Sequence, residues 1–150
     1  MSDLYDRDAV LWSEQQAALL RRIAAGDRVN DQVDWGNVIE EIESVGRSEL
    51  RAVSSALRRA MQHKLCLLGW PSALATRHWR AEVRSILAEA AKDFRESMRR
   101  QIELDSLYRL ACLDVERHML DDGPPQGPLP MACPWTLDEL IAEGEAALRS

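Results

Sequence analysis

The sequence is poor in cysteine, in turn-forming residues and in phenylalanine. Its 150 residues include 3 cysteines, 7 glycines, 6 prolines and 1 phenylalanine. The cysteines are odd in number and scattered, and they form no Cys-x-x-Cys motif. This argues against a disulfide framework and against a cysteine-rich zinc site, and it favours reduced thiols in the cytoplasm.

Long hydrophobic runs are also missing. No uninterrupted apolar segment approaches the ~20 residues that a membrane-spanning helix needs. Residues 1–6 are acidic and lack the basic-then-apolar order of a signal peptide. We therefore expect a cytoplasmic protein that does not bind membranes.

Several common catalytic and nucleotide-binding motifs are absent. The sequence has no Gly-x-Gly-x-x-Gly, no phosphate-binding loop motif, no His-Glu-x-x-His and no Gly-x-Ser-x-Gly. The usual dinucleotide-binding, zinc-protease and serine-hydrolase interpretations are therefore not supported, and no cofactor is predicted.

The residues that are plentiful favour helix. Hydrophobic residues make up 46% of the chain and charged residues 29%, and Ala, Leu, Arg and Glu outnumber Val, Ile, Tyr and Phe. Apolar residues recur at helical spacing along most of the chain. Five helices are predicted. The first two cover residues 6–25 and 35–68, and the last covers 136–148. Between them, the third begins at 72 or 76 and ends at about 92, and the fourth continues from about 92 to about 120.

The second of these helices carries a long apolar stripe. It begins at Trp35, Val38, Ile42 and Val45, and it shifts its phase near Gly46. At that point the helix is expected to bend, to break, or to change its buried face. The stripe then continues through Leu50, Val53, Leu57, Met61, Leu65 and Leu68.

These elements predict an all-α, antiparallel up-and-down helical bundle. We expect one domain over residues 1–150, with a bundle core at about 34–120 and an N-terminal helix packed on it. A proline-rich connector at 121–134 leads to a C-terminal capping segment with a helix at 136–148. Thr136 and Glu139 have the spacing of a capping box at the start of that helix.

The basic residues are concentrated in the middle of the chain. Residues 1–46 contain 4 basic and 10 acidic side chains, residues 47–118 contain 14 and 9, and residues 119–150 contain 1 and 6. Arg47, Arg51, Arg58 and Arg59 form a loose stripe that Arg77, Arg80 and Arg84 join. To bind nucleic acid, these arginines would have to be exposed and without acidic partners. Because both ends of the chain are acidic, pairing with the chain's own acidic residues is the favoured interpretation.

The three histidines form a candidate metal site. His63 and His78 lie at similar distances on either side of the turn at Gly69–Pro71, and His118 is expected near the same level. Three imidazoles can hold Zn²⁺ and leave a position open for water. Half-buried, hydrogen-bonded histidines are the more ordinary alternative.

Glu40 and Glu43 are candidate metal ligands or a general base for such a site. Glu-x-x-His pairs, which di-metal bundles require, are absent from the sequence. The favoured alternative is that these carboxylates stabilise the start of their helix and pair with arginines such as Arg80 or Arg84.

Trp70 precedes Pro71 in a turn, and we expect it to be exposed and to contact a partner. Arg47, Arg51 and Arg58 are further candidate contact residues.

One segment combines several distinctive residues: Asp34-Trp35, then Glu40-Glu41-Ile42-Glu43, then Gly46-Arg47-Ser48-Glu49. With the terminal Cys133-Pro134-Trp135-Thr136-Leu137-Asp138-Glu139-Leu140, this resembles the bacterial family known as domain of unknown function 29. The resemblance covers nearly the whole chain and implies an all-helical fold in a bacterial cytoplasm. It brings no catalytic or binding residues. The chain departs from the family at Lys92-Asp93-Phe94, where a Pro-Ser-Leu break is frequent, and at His78, where a small residue is usual.

Three functions remain open from the sequence. The leading hypothesis is a non-enzymatic interaction module that self-associates or docks a protein partner. The second is a metal-dependent hydrolase that uses the histidines, with Glu40 or Glu43 as base. The third is nucleic-acid binding through the arginine stripe.

Overall fold

A computed structural model describes residues 3–150, apart from the side chains of Asp3 and Leu120, and it is all-helical over this range with no strand. Within the same range no helix is both long enough and apolar enough to cross a membrane. The α-helices are α1 (Asp3–Arg7), α2 (Ala9–Ala24), α3 (Trp35–Gly69), α4 (Thr76–Asp93), α5 (Leu104–Asp122) and α6 (Leu137–Leu148).

The chain divides into two compact units, Met1–Ser48 and Glu49–Ser150. The division falls inside α3, two residues after Gly46. The predicted break at Gly46 does not occur, since α3 runs as one helix through that residue. Around Gly46, residues 39–49 are all exposed apart from the partly buried Ser44.

The amino-terminal unit is built around Trp12, Val33 and Val38, which are buried together. The Trp12 indole donates to the Asp34 carboxylate at 3.0 Å, and the backbone N–H of Asp34 donates to the Gln16 side chain at 2.8 Å. Gln16 is itself buried. Since a buried amide is costly without a partner, this bond fixes α2 against the start of α3.

The first predicted helix is two helices in the structure. Asp8 separates α1 from α2, and its side chain accepts a hydrogen bond from the backbone N–H of Leu11 at 3.0 Å. A short acidic side chain that caps a new helix competes with continuation of the previous one. The apolar period alone does not detect this stop.

The carboxy-terminal unit contains the larger core. Its fully buried side chains come from the second part of α3 and from α4, α5 and α6, and include Leu57, Met61, Leu65, Leu87, Val115 and Leu140. Helices α4 and α6 approach so closely that a Cβ atom on Gly144 would lie 2.0 Å from the Leu87 carbonyl oxygen. Gly144 is therefore required by packing.

The predicted fourth helix starts too early. Phe94 follows α4 in an extended conformation, and Glu96–Gln101 form a 3₁₀ helix before α5 begins at Leu104. Met98 is buried from this 3₁₀ segment, so its apolar side chain contributes to the core without belonging to α5. The apolar residues of this segment are spaced so that they reach the core, and this spacing does not require a continuous α-helix.

The last helix agrees with the prediction, whereas the connector before it begins at Gly123, because Asp121 and Asp122 still belong to α5. Thr136 and Glu139 form the predicted capping box, with backbone-to-side-chain distances of 3.1 and 3.3 Å. In the connector, the backbone N–H groups of Gln126 and Gly127 both donate to the carbonyl oxygen of Gly69, at 2.6 and 3.2 Å. These bonds occupy one of the free carbonyls at the end of α3.

Candidate functional site

The three candidate histidines lie in the carboxy-terminal unit in different environments. His63 on α3 is half-buried, and its Nδ1 atom has no hydrogen-bond partner among the described residues. His78 on α4 is exposed. The His118 ring on α5 makes edge contacts with Trp70 and Trp79, at centroid distances of 5.0 and 5.2 Å.

The histidines are neighbours, but they do not form a ligand set. Both His78 and His118 contribute to lowering the pKa of His63. Among the described residues, however, no group of three or more His, Cys, Asp or Glu side chains is placed to hold a metal ion. The Nε2 atom of His118 lies 2.9 Å from an Asp122 carboxylate oxygen, and the tryptophans fix its ring.

Burial lowers the pKa of His63. Glu82 opposes this effect, while His78, Arg59 and His118 reinforce it. In the unfolded chain the pKa returns to about 6.5. The unfolded state therefore binds more protons than the folded state as the pH falls through this range, and the protein loses stability.

A His63→Gln variant tests this assignment. We expect the free energy of unfolding of the wild type to fall more between about pH 7.5 and pH 5.5 than that of the variant, because only the wild type must keep a buried imidazole neutral. Urea titrations followed by tryptophan fluorescence at both pH values measure the difference. Equal losses in the two proteins would contradict the assignment.

Glu40 and Glu43 lie in the amino-terminal unit, exposed on α3. Both pair with Arg47, at 2.6 and 3.7 Å. The arginine that both carboxylates bind is on their own helix. Arg47, a candidate contact residue, is the cation of this exposed network.

The other arginines of the predicted stripe are only partly engaged. Arg58 binds Asp114 with two hydrogen bonds of 2.8 Å, and Arg84 donates to the Ser150 hydroxyl. Arg51 is exposed. Pairing within the chain, the favoured interpretation of the basic stripe, thus applies to some of its members.

Trp70 is not an exposed contact residue. Its side chain is 2% exposed, and its indole N–H donates to the carbonyl oxygen of Gly123 at 3.3 Å. The turn at Pro71 does not bring this side chain to the surface. A large aromatic ring instead fills the core beside His118, and its one polar atom finds a backbone acceptor.

A polar cleft lies between α3 and α5 in the carboxy-terminal unit. Its volume is about 530 Å³, and it is shallow and widely open to solvent. The Arg58–Asp114 pair lies in it, and its other lining residues include Arg59, Gln62, Arg117, His118 and Asp121.

Sequence reasoning missed an exposed apolar surface, which we call the apolar face of α3. It consists of Trp35, Ile39, Ile42 and Val45, whose exposed fractions are 43%, 51%, 68% and 65%. Of the predicted stripe in this part of the helix, only Val38 is buried. The sequence did indicate this surface. Ile39 adds a second row of apolar residues beside Val38, and the two rows together are wider than a single packed face can cover.

Residues 4–144 match the model of a family described as "Domain of unknown function DUF29". The fold is similar to the crystal structure of an alpha-helical protein of unknown function from Rhodospirillum rubrum. That protein is 27% identical, with a TM-score of 0.71, and the alignment covers 97% of this chain and 95% of the other. Among curated proteins, none matches the chain.

Proposed function

The chain belongs to the DUF29 family, and because that description leaves the function open, we propose from its own surface that it is a helical module that self-associates through the apolar face of α3. The observation that carries the proposal is the exposure of Trp35, Ile39 and Ile42 on one side of a helix. Large apolar side chains that share a helix face are typical of a helix-pairing surface.

The spacing of this face identifies a second copy as its partner. Trp35, Ile39, Ile42 and Gly46 follow one another at intervals of four, three and four residues, as in a helix-pairing seam. When two such helices run antiparallel, Ile39 of one copy lies opposite Ile42 of the other.

In the same arrangement Trp35 lies opposite Gly46, so the largest side chain of the seam meets the smallest. Apart from its chain neighbours and the backbone of its own helix, no heavy atom lies within 4 Å of the place where a Cβ on Gly46 would lie, so space is open above it. A parallel pair would instead oppose Trp35 with Trp35 and Gly46 with Gly46. The complementary sizes therefore favour an antiparallel pair of identical helices.

Ile42→Lys tests the proposal. Burying an isoleucine side chain contributes about 1.5–3 kcal/mol, and in a symmetric pair each substitution acts twice. We expect the variant to associate at least about 100-fold more weakly than the wild type, measured by sedimentation equilibrium. Circular dichroism of the variant should retain the wild-type helix content, because position 42 is exposed.

Two further variants sharpen the result. Gly46→Lys should also weaken association, although lysine favours helix more than glycine does. Leu113→Lys is the matched control, since Leu113 is 54% exposed on α5, outside the proposed seam, and should leave association unchanged. A wild-type protein that stays monomeric at every concentration would overturn the proposal, as would equal effects of Ile42→Lys and Leu113→Lys.

The proposed setting is the bacterial cytoplasm. Cys66, Cys112 and Cys133 are all free, and burial raises the pKa of the Cys66 thiol to about 11, so it stays protonated. Three unpaired thiols suit a reducing compartment. Recovery of the protein in a periplasmic fraction would contradict this part of the proposal.

A further inference from the structure

The polar cleft between α3 and α5 contains an arginine held in a fixed position. The Nε and Nη2 atoms of Arg58 each donate to one oxygen of Asp114, both at 2.8 Å, and this pairing raises the pKa of Arg58. The pair is neutral as a unit. Because Asp114 uses only Nε and Nη2, the N–H groups on Nη1 remain available to a ligand.

Two further arginines, Arg59 and Arg117, line the cleft beside this pair. Arg59 is 3.9 Å from Glu89, at the limit of an ion pair, and both side chains are more than half exposed. Arg117 is exposed and, within residues 3–150, has no ion pair of 4.0 Å or less. Since exposed pairs at such distances contribute little, both guanidinium groups are free to bind an anion.

The remaining polar groups favour an anion with a neutral, hydroxyl-bearing end. Asp121 also lines the cleft, and a carboxylate there repels a second negative charge but accepts hydrogen bonds from hydroxyl groups. Gln62 also lines the cleft, and its amide both donates and accepts hydrogen bonds. A polyanion without hydroxyl groups would pair with the arginines, but its remaining negative charge would be repelled by the Asp121 carboxylate.

The geometry points to a binding site for a small phosphate monoester that carries hydroxyl groups, such as a sugar phosphate. Arg59, Arg117 and the free edge of Arg58 bind the phosphate, and Asp121 and Gln62 bind the hydroxyls. Planar guanidinium groups match phosphate oxygens in pairs, which is the reason for assigning phosphate to the arginine end. The site lies within the carboxy-terminal unit and does not depend on the proposed self-association.

Isothermal titration of the full chain tests the site with four probes: ribose 5-phosphate, ribose, inorganic phosphate and citrate. We expect saturable binding of ribose 5-phosphate, at least about 10-fold tighter than that of inorganic phosphate and of citrate, and no binding of ribose. Binding of citrate equal to that of ribose 5-phosphate would overturn the assignment to phosphate esters. If none of the four probes binds, the site itself is overturned.

Three variants locate the binding. Arg117→Gln should weaken binding of ribose 5-phosphate at least about 10-fold. The control Arg109→Gln changes the same charge on the same helix, at an exposed residue that donates to Ser106, and should have no effect. Asp121→Asn should weaken binding of ribose 5-phosphate and strengthen binding of inorganic phosphate. Equal effects of the two arginine variants would mean nonspecific charge attraction and would overturn the proposal.

Discussion

The Gly144→Ala variant is expected to lose about 2–4 kcal/mol of its free energy of unfolding, because the added methyl group has no room. Its carbon would lie 2.0 Å from the Leu87 carbonyl oxygen and 2.9 Å from the Ala91 side chain. The nearest obstacle is the backbone of α4, which cannot turn away as a flexible side chain can. Relief therefore requires α4 and α6 to separate, and the core contacts of Leu140 and Ile141 weaken with them.

Urea denaturation followed by circular dichroism measures this loss as a lower midpoint. Gly36→Ala is the matched control, since Gly36 also lies in a helix, in α3, and its added carbon would meet no atom within 4 Å. That variant should be as stable as the wild type or slightly more stable, because alanine favours helix. A Gly144→Ala protein with an unchanged midpoint would show that α4 and α6 do not pack this closely.

The second large effect is expected at Leu57. Its side chain is fully buried among α3, α4, α5 and α6 residues. Truncation to alanine removes apolar contacts and leaves a cavity, which costs about 2–5 kcal/mol. The thermal unfolding midpoint of Leu57→Ala should therefore fall by several degrees or more.

The control for this prediction is the same chemical change at an exposed site. Leu113→Ala on α5 removes the same atoms from a side chain that is already 54% exposed. We expect a change of less than about 0.5 kcal/mol. If both variants lose equal stability, the assignment of Leu57 to the core is wrong.

Local chemistry explains which parts of the fold were predictable. The capping box at Thr136 and Glu139 was predicted because both of its hydrogen bonds join residues three apart in the chain. The all-helical class followed from composition and apolar spacing, which are also local. The cap at Asp8 was equally local, but it was overlooked within a continuous apolar pattern.

The errors concern residues whose burial is decided by distant parts of the chain. Trp70 is buried in the core, and its indole N–H donates to Gly123, 53 positions away, which no pattern near Pro71 indicates. Ile42 and Val45 continue the period of Val38, yet only Val38 has neighbours to cover it. A period identifies one side of a helix but does not show which stretch of that side is covered.

In the candidate sites, too, local features could be predicted and features that depend on distant residues could not. Helix geometry predicts that His63, His78 and His118 lie at one level, whereas the orientation of the His118 ring depends on its packing with Trp70 and Trp79. From the sequence, the arginines of the polar cleft could be predicted only as part of a basic stripe. Its fixed geometry comes from the Arg58–Asp114 pair, which joins residues 56 positions apart.

The two hydrogen bonds that Gln126 and Gly127 donate to Gly69 set a constraint on chain length. Gly127 packs so closely on α3 that an added Cβ would lie 2.5 Å from the Leu68 carbonyl oxygen. The backbone must therefore cover the distance from the end of α5 to this contact in a fixed number of residues. Insertions and deletions are expected to be tolerated farther along, near the fully exposed Met131, where a fused tag or reporter would leave the helices undisturbed.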